Sequence, residues 1–547
     1  MSSQPAWYKN AIFYEIYVRA YHDGDGDGHG DLRGLIEKLD YLKGLGVDCL
    51  WLMPIYPSPL LDDGYDIADF YSIHPDYGSL DDFRELIAAV HARQMRLITD
   101  LVLNHTSDQH PWFQSARSTP KSPYRDYYVW SDSNQKFQDA RVIFLDTEPS
   151  NWTWDDQGGQ FYWHRFYACQ PDLNYTNPAV QREMIEVVKF WLDLGVDGFR
   201  ADAVPYLFER EGTNCENLPE THLYLKGLRA FINEHYPDRI LLCEANQWPQ
   251  DVRPYFGDGD EFHMGFHFPL MPRVFMALRK EEISPLVWVM EHTPPIPDAC
   301  QWCTFLRNHD ELTLEMVSEE ERQWMWEQFA PEPRMRLNLG IRRRLAPLLD
   351  NDQRKIALAY SLLFTFPGAP IIYYGDEIGM GDEIWLPDRN GVRTPMQWDT
   401  SQNGGFSNVN PKDLFSPVTC DPVYSPQSVN VADQIDDQTS LFHIVHQMIL
   451  LRKSIPAFGW GTFSWVNSQP DTTKDAVAAY WRELKEQKIL VVNNLAADHQ
   501  EIHIRMPSSG TYQFQNLLDP VKTLLANEGY LVSALAPYQY QWLLMQQ

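Results

Sequence analysis

The sequence has few cysteines, no long apolar run and a shortage of positive charge. Its 547 residues include seven cysteines at irregular spacing, which argues against a disulfide framework. Cys300-Gln-Trp-Cys303 has no second pair, so a metal or redox site there is disfavoured. No segment approaches the roughly 18 apolar residues of a membrane span, and residues 1–7 lack a basic region and an apolar stretch. We therefore expect a soluble, cytoplasmic protein.

The charge balance limits the class of partner. Lysine and arginine number 45 against 75 aspartate and glutamate residues, a net charge of −30, which disfavours binding to nucleic acid. Aromatic residues make up 14% of the chain, with 19 tryptophans. Flat rings suit sugar-binding clefts, although core packing explains many of them equally well. A neutral or cationic small ligand is favoured, and bound divalent cations would offset part of the charge.

Alternating strand and helix patterns predict an α/β fold. Helical periodicity covers 32–45, 83–93, 179–194 and 222–235, and Ser79-Leu-Asp-Asp82 is typical of a helix N-terminus. Parallel sheets arise from such strand–helix–strand units. Eight strands suit a closed (β/α)8 barrel, the TIM barrel. The predicted strands are 11–18, 47–54, 95–103, 196–201, 239–244, 261–268, 303–306 and 369–374.

Three regions depart from this alternation and predict additional domains. Residues 105–173 show little periodicity and are too long for a loop, so we expect a small domain inserted after strand three. Residues 319–350 form a charged insertion, helical in parts, in which Arg342-Arg343-Arg344 reads most simply as a solvated helix face. From 460 to 547 an antiparallel β-sandwich is expected, with strands at 475–484, 489–495, 500–506 and 510–517. The barrel would then comprise 1–104 and 174–459.

Charged residues mark the ends of several barrel strands. Arg200 and Asp202 are two positions apart, so their side chains point to the same side of the fourth strand. An isolated pair of this kind is most often a structural ion pair. However, Asp100–His105, Glu244 and Asn308-His309-Asp310 end other strands, and barrel chemistry takes place at that edge. Their agreement favours an active site.

These blocks resemble the α-amylase family of glycoside hydrolases (family 13). Asp100–His105, Gln170-Pro-Asp-Leu-Asn174, Gly198–Val204, the Glu244 block and Asn308–Asp310 follow the family's order. The resemblance implies that Asp202 is the nucleophile, Glu244 the general acid/base and Asp310 the carboxylate that binds the sugar 2- and 3-hydroxyls. It also implies retention of configuration. Arg200 should keep Asp202 charged, whereas a partly dry pocket beside two carboxylates should raise the pKa of Glu244.

The segment Asp62-Asp63-Gly64-Tyr65-Asp66 resembles the element that closes the glucose pocket in α-glucosidases and sugar isomerases of the family. The resemblance implies that Tyr65 stacks on the sugar ring and that Asp62 binds the 4- and 6-hydroxyls, with Arg393 as the partner of Asp62. Such a pocket would accept one terminal glucose of a small sugar. The other residues expected to bind substrate are His105, Gln170, Arg200 and His309.

Residues 306–317, 339–350, 374–383 and 388–398 resemble the branch of the family that interconverts maltose and trehalose. That reaction moves a glucosyl unit within one complex, so the released glucose must be retained, with 105–173 and 319–349 as the expected lid. A hydrolytic α-glucosidase or a sucrose isomerase is the alternative, whereas a non-catalytic binding module is disfavoured because all three carboxylates are present. The expected ligands are maltose and trehalose, with sucrose as a further candidate. No organic cofactor is expected, and association of copies is left open.

Two candidate cation sites complete the predicted set. Alternating carboxylates in a flexible loop suit a hard cation, and the loop resembles the calcium loop of oligosaccharide-cleaving members, although a plain acidic turn is the alternative. Its residues are Asp23, Asp25, Asp27, His29 through its carbonyl, and Asp31. The second set resembles a structural calcium site and comprises Asn104, Asp172, Glu209 and the carbonyls of Tyr206 and Leu207. Calcium is expected, with calcium or magnesium at the second site.

Overall fold

The computed structural model describes residues 6–466, 476–506 and 508–546. Eight parallel strands close into a barrel in sequence order, and pairing of Phe13 with Ile371 joins the last strand to the first. The predicted barrel and its eight strands are confirmed. The strands are β1 Phe13–Ile16, β2 Cys49–Leu52, β3 Arg96–Val102, β4 Gly198–Asp202, β5 Ile240–Cys243, β6 Met264–Phe266, β7 Gln301–Phe305 and β8 Ala369–Tyr373.

The barrel strands are buried along almost their whole length because side chains fill the interior and helices cover the outside. Ser79 and Asp82 form the expected capping box of Leu80–Ala92. The predicted helix 32–45 is instead two helices, because the Lys38 amide donates to the Leu35 carbonyl three residues back and tightens the turn. The other long helices are Pro178–Leu194, Pro219–His235, Leu270–Lys280, Ser284–Glu291, Gln353–Thr365 and Leu441–Ser454. The shorter ones are Leu32–Glu37, Leu39–Leu45, Pro249–Val252, Val431–Asp436 and Pro456–Trp460.

Two insertions rise above the carboxyl ends of the strands. The first contains the helix Pro111–Ser118 and a three-stranded antiparallel sheet of Trp130–Ser131, Trp152–Asp155 and Gln160–Trp163. The second contains the helices Glu319–Phe329 and Leu345–Leu348. Between these helices, Arg336–Leu337 and Gly340–Ile341 form a hairpin that pairs with Leu312–Thr313. The second insertion is therefore helical only in part.

The interpretation of Arg342-Arg343-Arg344 as a solvated helix face is wrong. The three residues connect the hairpin to the helix Leu345–Leu348 in extended backbone. Arg344 is fully buried, and all three guanidinium groups bond to the segment that follows β8. Backbone carbonyls and carboxylates of that segment outcompete water for these donors.

The C-terminal region forms one eight-stranded antiparallel sheet, in the order β9-β10-β11-β16-β13-β14-β15-β12. The predicted antiparallel β region is confirmed, although only four of its strands were expected, and the predicted start of the first, Asp475, lies outside the described residues. Its strands are β9 Thr462–Trp465, β10 Val477–Leu484, β11 Gln487–Asn494, β12 Gln500–Arg505, β13 Tyr512–Asn516, β14 Thr523–Asn527, β15 Tyr530–Leu535 and β16 Tyr540–Gln546. Buried Arg482 on β10 binds this sheet to the barrel through the carbonyls of Thr365 and Phe458.

Across the described ranges, no helix combines the length and the apolar character that crossing a membrane requires. Cys300 and Cys303 are buried free thiols on either side of Gln301 and Trp302.

Candidate active site

A cavity of about 880 Å³, its mouth included, lies where the barrel strands end, and its size is typical of small-molecule sites. The strand ends therefore converge as the sequence predicts. Asp202 is the last residue of β4, Glu244 follows β5 directly, and Asp310 follows β7. The predicted residues that line the cavity are Asp62, Tyr65, His105, Asp202, Glu244 and Asp310.

Arg200 organises the charges below this cavity. One of its nitrogens lies 2.5 Å from Asp100 and 2.6 Å from Asp202, and another lies 2.5 Å from Glu244. The guanidinium is 1% exposed, so these charge-assisted contacts form in a low-dielectric environment. One buried cation therefore serves three carboxyl groups.

Asp202 and Glu244 respond differently to this environment. Burial, helped by Asp202 and Asp310 and opposed by Arg200, raises the pKa of Glu244 to about 8. Burial also raises the pKa of Asp202, with Arg200 as the main opposing group. The two side chains share a hydrogen bond, in which protonated Glu244 donates to Asp202. Glu244 can therefore act as a proton donor near neutral pH, as predicted.

Asp310 is held ionised by cations around it. Burial opposes its charge, but His309, Arg389 and Arg393 hold the pKa of Asp310 well below its usual range. Burial alone would lower the pKa of His309, whereas Asp310 and Glu15 raise it to about 9. The imidazolium lies between these two carboxylates, with Nε2 3.1 Å from Asp310. A fixed carboxylate facing the cavity is suited to accepting hydrogen bonds from sugar hydroxyls.

The expected pairing of Asp62 with Arg393 is wrong. Asp62 pairs with Arg389 at 2.6 Å, whereas Arg393 pairs with the neighbouring Asp63 and with Asp310. Arg389 also reaches Asp310 at 2.8 Å, so it bridges two carboxylates of the cavity wall. Arg393 is set one layer back because its Nε donates to the His309 carbonyl.

Four residues predicted to bind substrate lie behind the cavity wall and hold it in place. They are Gln170, Arg200, His309 and Arg393. Gln170 donates to Asp62 at 2.8 Å, and His309 stacks on Tyr65 with ring centroids 5.4 Å apart. Tyr65 also lies over the Arg200 guanidinium. Their contacts fix the orientation of Asp62, Tyr65 and Asp310.

His105, in contrast, lines the cavity directly. Burial lowers the pKa of His105 to about 3, so the imidazole is neutral and can exchange hydrogen bonds with an uncharged ligand. Its Nε2 has no hydrogen-bond partner among the described residues, which leaves one nitrogen for a sugar hydroxyl.

Several residues of the cavity wall were not predicted. The aromatic ones are Phe144, Phe166, Tyr206 and Phe268. The polar ones are Asn246, Glu311, Thr313, Glu315, Asn338 and Arg389. Arg389 could have been found from its spacing, because it precedes Arg393 by four residues in a segment already singled out. Asn338 has no such signal, since it reaches the cavity only through the hairpin of the second insertion.

The two insertions meet above the cavity. The Asn338 amide donates to Asp146 at 2.7 Å, and Arg141 of the first insertion lies 2.8 Å from Glu315. Both Asn338 and Glu315 line the cavity. These contacts place a cover over the site, as expected of a lid.

Residues 15–332 and 341–461 match the family described as "Alpha amylase, catalytic domain". The chain belongs to the α-amylase family. The match covers the second half of β1, all of β2 to β8 and both insertions, apart from the eight residues 333–340 of the second.

Some relatives within the α-amylase family are identical to this chain at more than half of the aligned positions. The trehalose synthase/amylase TreS of Mycobacterium tuberculosis is 56% identical over 519 residues, which cover 94% of this chain and 86% of that protein. The trehalose synthase of Pimelobacter sp. is 55% identical over 517 residues, or 92% of this chain and 90% of that protein. The similarity thus extends from the barrel into the C-terminal sheet.

Solved structures of the α-amylase family share the whole architecture. The trehalulose synthase MutB of Pseudomonas mesoacidophila superposes with a TM-score of 0.78 at 28% identity, with 100% of both chains covered. An α-amylase from H. orenii has a TM-score of 0.79 at 30% identity and covers 98% of this chain and 100% of its own.

The second predicted cation site has the donor set that a hard cation requires. Asn104 Oδ1, Asp172 Oδ2 and Glu209 Oε1 are buried and lack a hydrogen-bond partner among the described residues. Burial raises the pKa of Asp172 to about 8, and burial together with Asp172 raises the pKa of Glu209 well above its usual range. Unpaired buried oxygens are costly, so these residues fit a calcium ion.

The first predicted site fits less completely. Carboxylate oxygens of Asp23, Asp25 and Asp27 lie within 4.8 Å of one another. Asp31, however, uses both oxygens to accept from the amides of Gly24, Asp25 and Gly34, and it caps the helix Leu32–Glu37. His29 contacts Asp27 with its ring at 3.2 Å. Asp31 therefore serves the backbone. Asp23 also accepts from the amides of Gly26 and Gly28 and from the Ser407 hydroxyl, so it would have to share its oxygens between these donors and a cation.

Proposed function

We propose that the protein interconverts maltose and trehalose by intramolecular transfer of a glucosyl unit. The observation that carries this proposal is the identity of 55–56% to proteins named trehalose synthase over more than nine-tenths of the chain. The geometry supports the same chemistry, because a proton donor, a carboxylate nucleophile and a fixed third carboxylate share one covered cavity.

The proposed reaction begins when Asp202 attacks C1 of the terminal glucose of maltose. The bond from C1 to O4 breaks as Glu244 gives its proton to the departing O4, which leaves a covalent glucosyl-Asp202 and a free glucose. The released glucose turns within the cavity, and its O1 attacks C1 while Glu244 takes the O1 proton. Asp202 departs as the carboxylate, so trehalose forms with retained configuration.

The cavity wall determines which sugar enters. Asp62 and Asp310, bridged by Arg389, are placed to accept hydrogen bonds from the hydroxyls of one terminal glucose, with Tyr65 available to contact its ring. The lid formed by the two insertions keeps the second glucose at high effective concentration and limits access of water. Hydrolysis to free glucose is then the minor outcome.

The function is tested by incubating the purified protein with maltose and separating trehalose from glucose. We expect trehalose as the main product, and Asp202→Asn and Glu244→Gln should fold and be almost inactive. Substantial turnover by either variant would disprove the assigned roles. Glucose as the main product would indicate a hydrolytic α-glucosidase, and turnover of sucrose alone would indicate a sucrose isomerase.

We also propose that Asn104, Asp172 and Glu209, with the carbonyls of Tyr206 and Leu207, hold a structural calcium ion. The ion would neutralise two buried carboxylates and tie the first insertion to the loop after β4. Asp23, Asp25 and Asp27 are proposed to hold a second ion, calcium or magnesium. A cytoplasmic location remains a prediction.

A further inference from the structure

The segment that carries Arg389 follows β8 and spans residues 374–389, here called the β8 loop. Its only regular structure among the described residues is the 3₁₀ turn Asp376–Ile378. From residue 382 onward its backbone takes part in four turn-type hydrogen bonds, from Glu383 to Gly391, from Leu386 to Glu383, from Asn390 to Pro387 and from Val392 to Arg389. A segment with so little internal bonding depends on outside contacts for its shape.

Arg342, Arg343 and Arg344 of the second insertion supply those contacts, and they do so in reverse order along the β8 loop. Arg344 fixes the start of the β8 loop through the Tyr374 carbonyl at 2.8 Å and Asp376 at 3.1 Å. Arg343 binds both oxygens of Asp382, at 2.9 and 3.0 Å, in the middle. Arg344 and Arg343 thus bind different parts of the β8 loop.

Arg342 holds the end of the β8 loop, next to Arg389. Its guanidinium donates to the carbonyls of Leu386 at 2.6 Å, Asp388 at 2.5 Å and Ile384 at 3.2 Å. Asp388 has a φ of 47°, in the left-handed region that is unfavourable for most side chains. Arg342 therefore stabilises the backbone turn from which the Arg389 side chain extends.

Arg389 in turn sets the wall of the cavity. It is 5% exposed and joins Asp62 to Asp310, the two carboxylates proposed to bind the terminal glucose. A shift of about 1 Å in such a group can cost as much as 100-fold in rate. The rigidity of the β8 loop therefore matters for the chemistry although the loop backbone is remote from the scissile bond.

We propose that Arg342 is a positioning residue that acts through Arg389, an inference that rests on the proposed function. Three carbonyls arranged around one guanidinium require the planar fork of an arginine, which offers five donors in fixed directions. A lysine keeps the charge but presents three donors from a single nitrogen. Arg342 thus connects the second insertion, through the β8 loop, to the residue that orients the carboxylates proposed to bind the terminal glucose.

The test is a double-mutant cycle of Arg342→Ala and Arg389→Lys with maltose as substrate. Arg342→Ala should lower kcat/KM by about tenfold or more, mainly through a higher KM, because it misplaces a binding group. In the Arg389→Lys background the same change should cost less than about twofold, because the group it positions is already altered. Arg336→Ala is the matched control, since Arg336 packs on Trp326 and donates to Ala330 within the insertion.

Equal losses from Arg342→Ala in both backgrounds would overturn the proposal, since they would indicate a general structural role. A loss no greater than that of Arg336→Ala would overturn it as well. If Arg342→Ala does not fold, Arg342→Lys is carried through the same cycle and should give the same non-additive pattern with a smaller loss. Product analysis of the wild-type protein separates the two proposals. If the wild type releases only glucose from maltose, the proposed function fails. The double-mutant cycle can then still be carried out by measuring the rate of glucose release.

Discussion

At the scale of single residues, the site depends on one guanidinium shared by three acids. Arg200 contacts Asp100, Asp202 and Glu244 within 2.6 Å, yet the pKa of Glu244 still rises to about 8 because burial outweighs the attraction. The pKa values of both carboxyl groups are raised, but the hydrogen bond between them lowers that of Asp202 and raises that of Glu244, which favours Asp202 as the nucleophile and Glu244 as the acid.

This difference predicts the pH dependence of kcat/KM for maltose. Glu244 must be protonated to act first, so the rate should fall as pH rises through about 8. On the acidic side, activity should fall as Asp202 gains a proton, at a pH above the ordinary range of an aspartate because its pKa is raised. Initial rates from pH 4 to 10, with folding followed by circular dichroism, check both limbs. A rate that stays constant well above pH 8 would contradict the assignment.

The catalytic residues could be predicted from the sequence because each lies at or soon after the end of a buried strand, and parallel strands end at one edge. That rule, together with the order of the family's sequence blocks, was enough to identify Asp202, Glu244 and Asp310. The pairing of Asp62 with Arg389 could not be predicted, because 327 positions separate the two residues and Arg393 offers the same chemistry one turn later. Only the path of the β8 loop decides between these arginines.

At the scale of elements, the lid consists of two insertions joined by few polar contacts. Asn338 and Asp146 join them through backbone-to-side-chain hydrogen bonds, and Asn338 also donates to Glu311 at 3.4 Å. So few contacts between the insertions can break and re-form during each turnover. The lid must open in this way for a disaccharide to enter the cavity.

Loosening the lid should therefore change the products. We expect Asp146→Ala to raise the ratio of glucose to trehalose by roughly two- to tenfold, because it removes the carboxylate that accepts from the Asn338 amide, and a lost hydrogen bond of about 1 kcal/mol opens the cavity to water. Quantifying both sugars after partial turnover of maltose measures the ratio. Asn134→Ala, on an exposed part of the first insertion, is the control, and an identical ratio in the two variants would refute the lid.

Helices and strands long enough to show a clear hydrophobic periodicity could be predicted from the sequence, and the short elements could not. Several barrel strands lie in runs rich in apolar residues, such as Cys49–Leu52 and Ile240–Cys243, so their burial is evident from composition. The hairpin Arg336–Leu337 and Gly340–Ile341 has two residues per strand, too few for any alternation. Arg342–Arg344 resembled a solvated helix for the same reason, because charge alone does not reveal which carbonyls a guanidinium meets.

At the scale of the whole molecule, the proposed calcium ion would join separate parts of the chain. Asn104 follows β3, Asp172 ends the first insertion and Glu209 follows β4. Removing the ion would leave two buried acids with raised pKa values and unpaired oxygens.

Chelation should accordingly lower the melting temperature, by several degrees, before it changes the ratio of products at low temperature. Thermal unfolding with and without EDTA measures this, and added calcium should restore the original value. Asp172→Asn should respond less to both reagents. If chelation leaves the melting temperature of the wild type unchanged, the site does not hold a cation that stabilises the fold.

The composition of the cavity wall has a consequence for selectivity among cellular sugars. Six acidic residues line it, and the only cationic side chain that lines it among the described residues is Arg389, already paired with two of them. A phosphorylated disaccharide would bring two negative charges into this acidic space and lose its hydration without gaining a free cation. We therefore expect the protein to bind uncharged disaccharides and not sugar phosphates, even where the two are equally abundant.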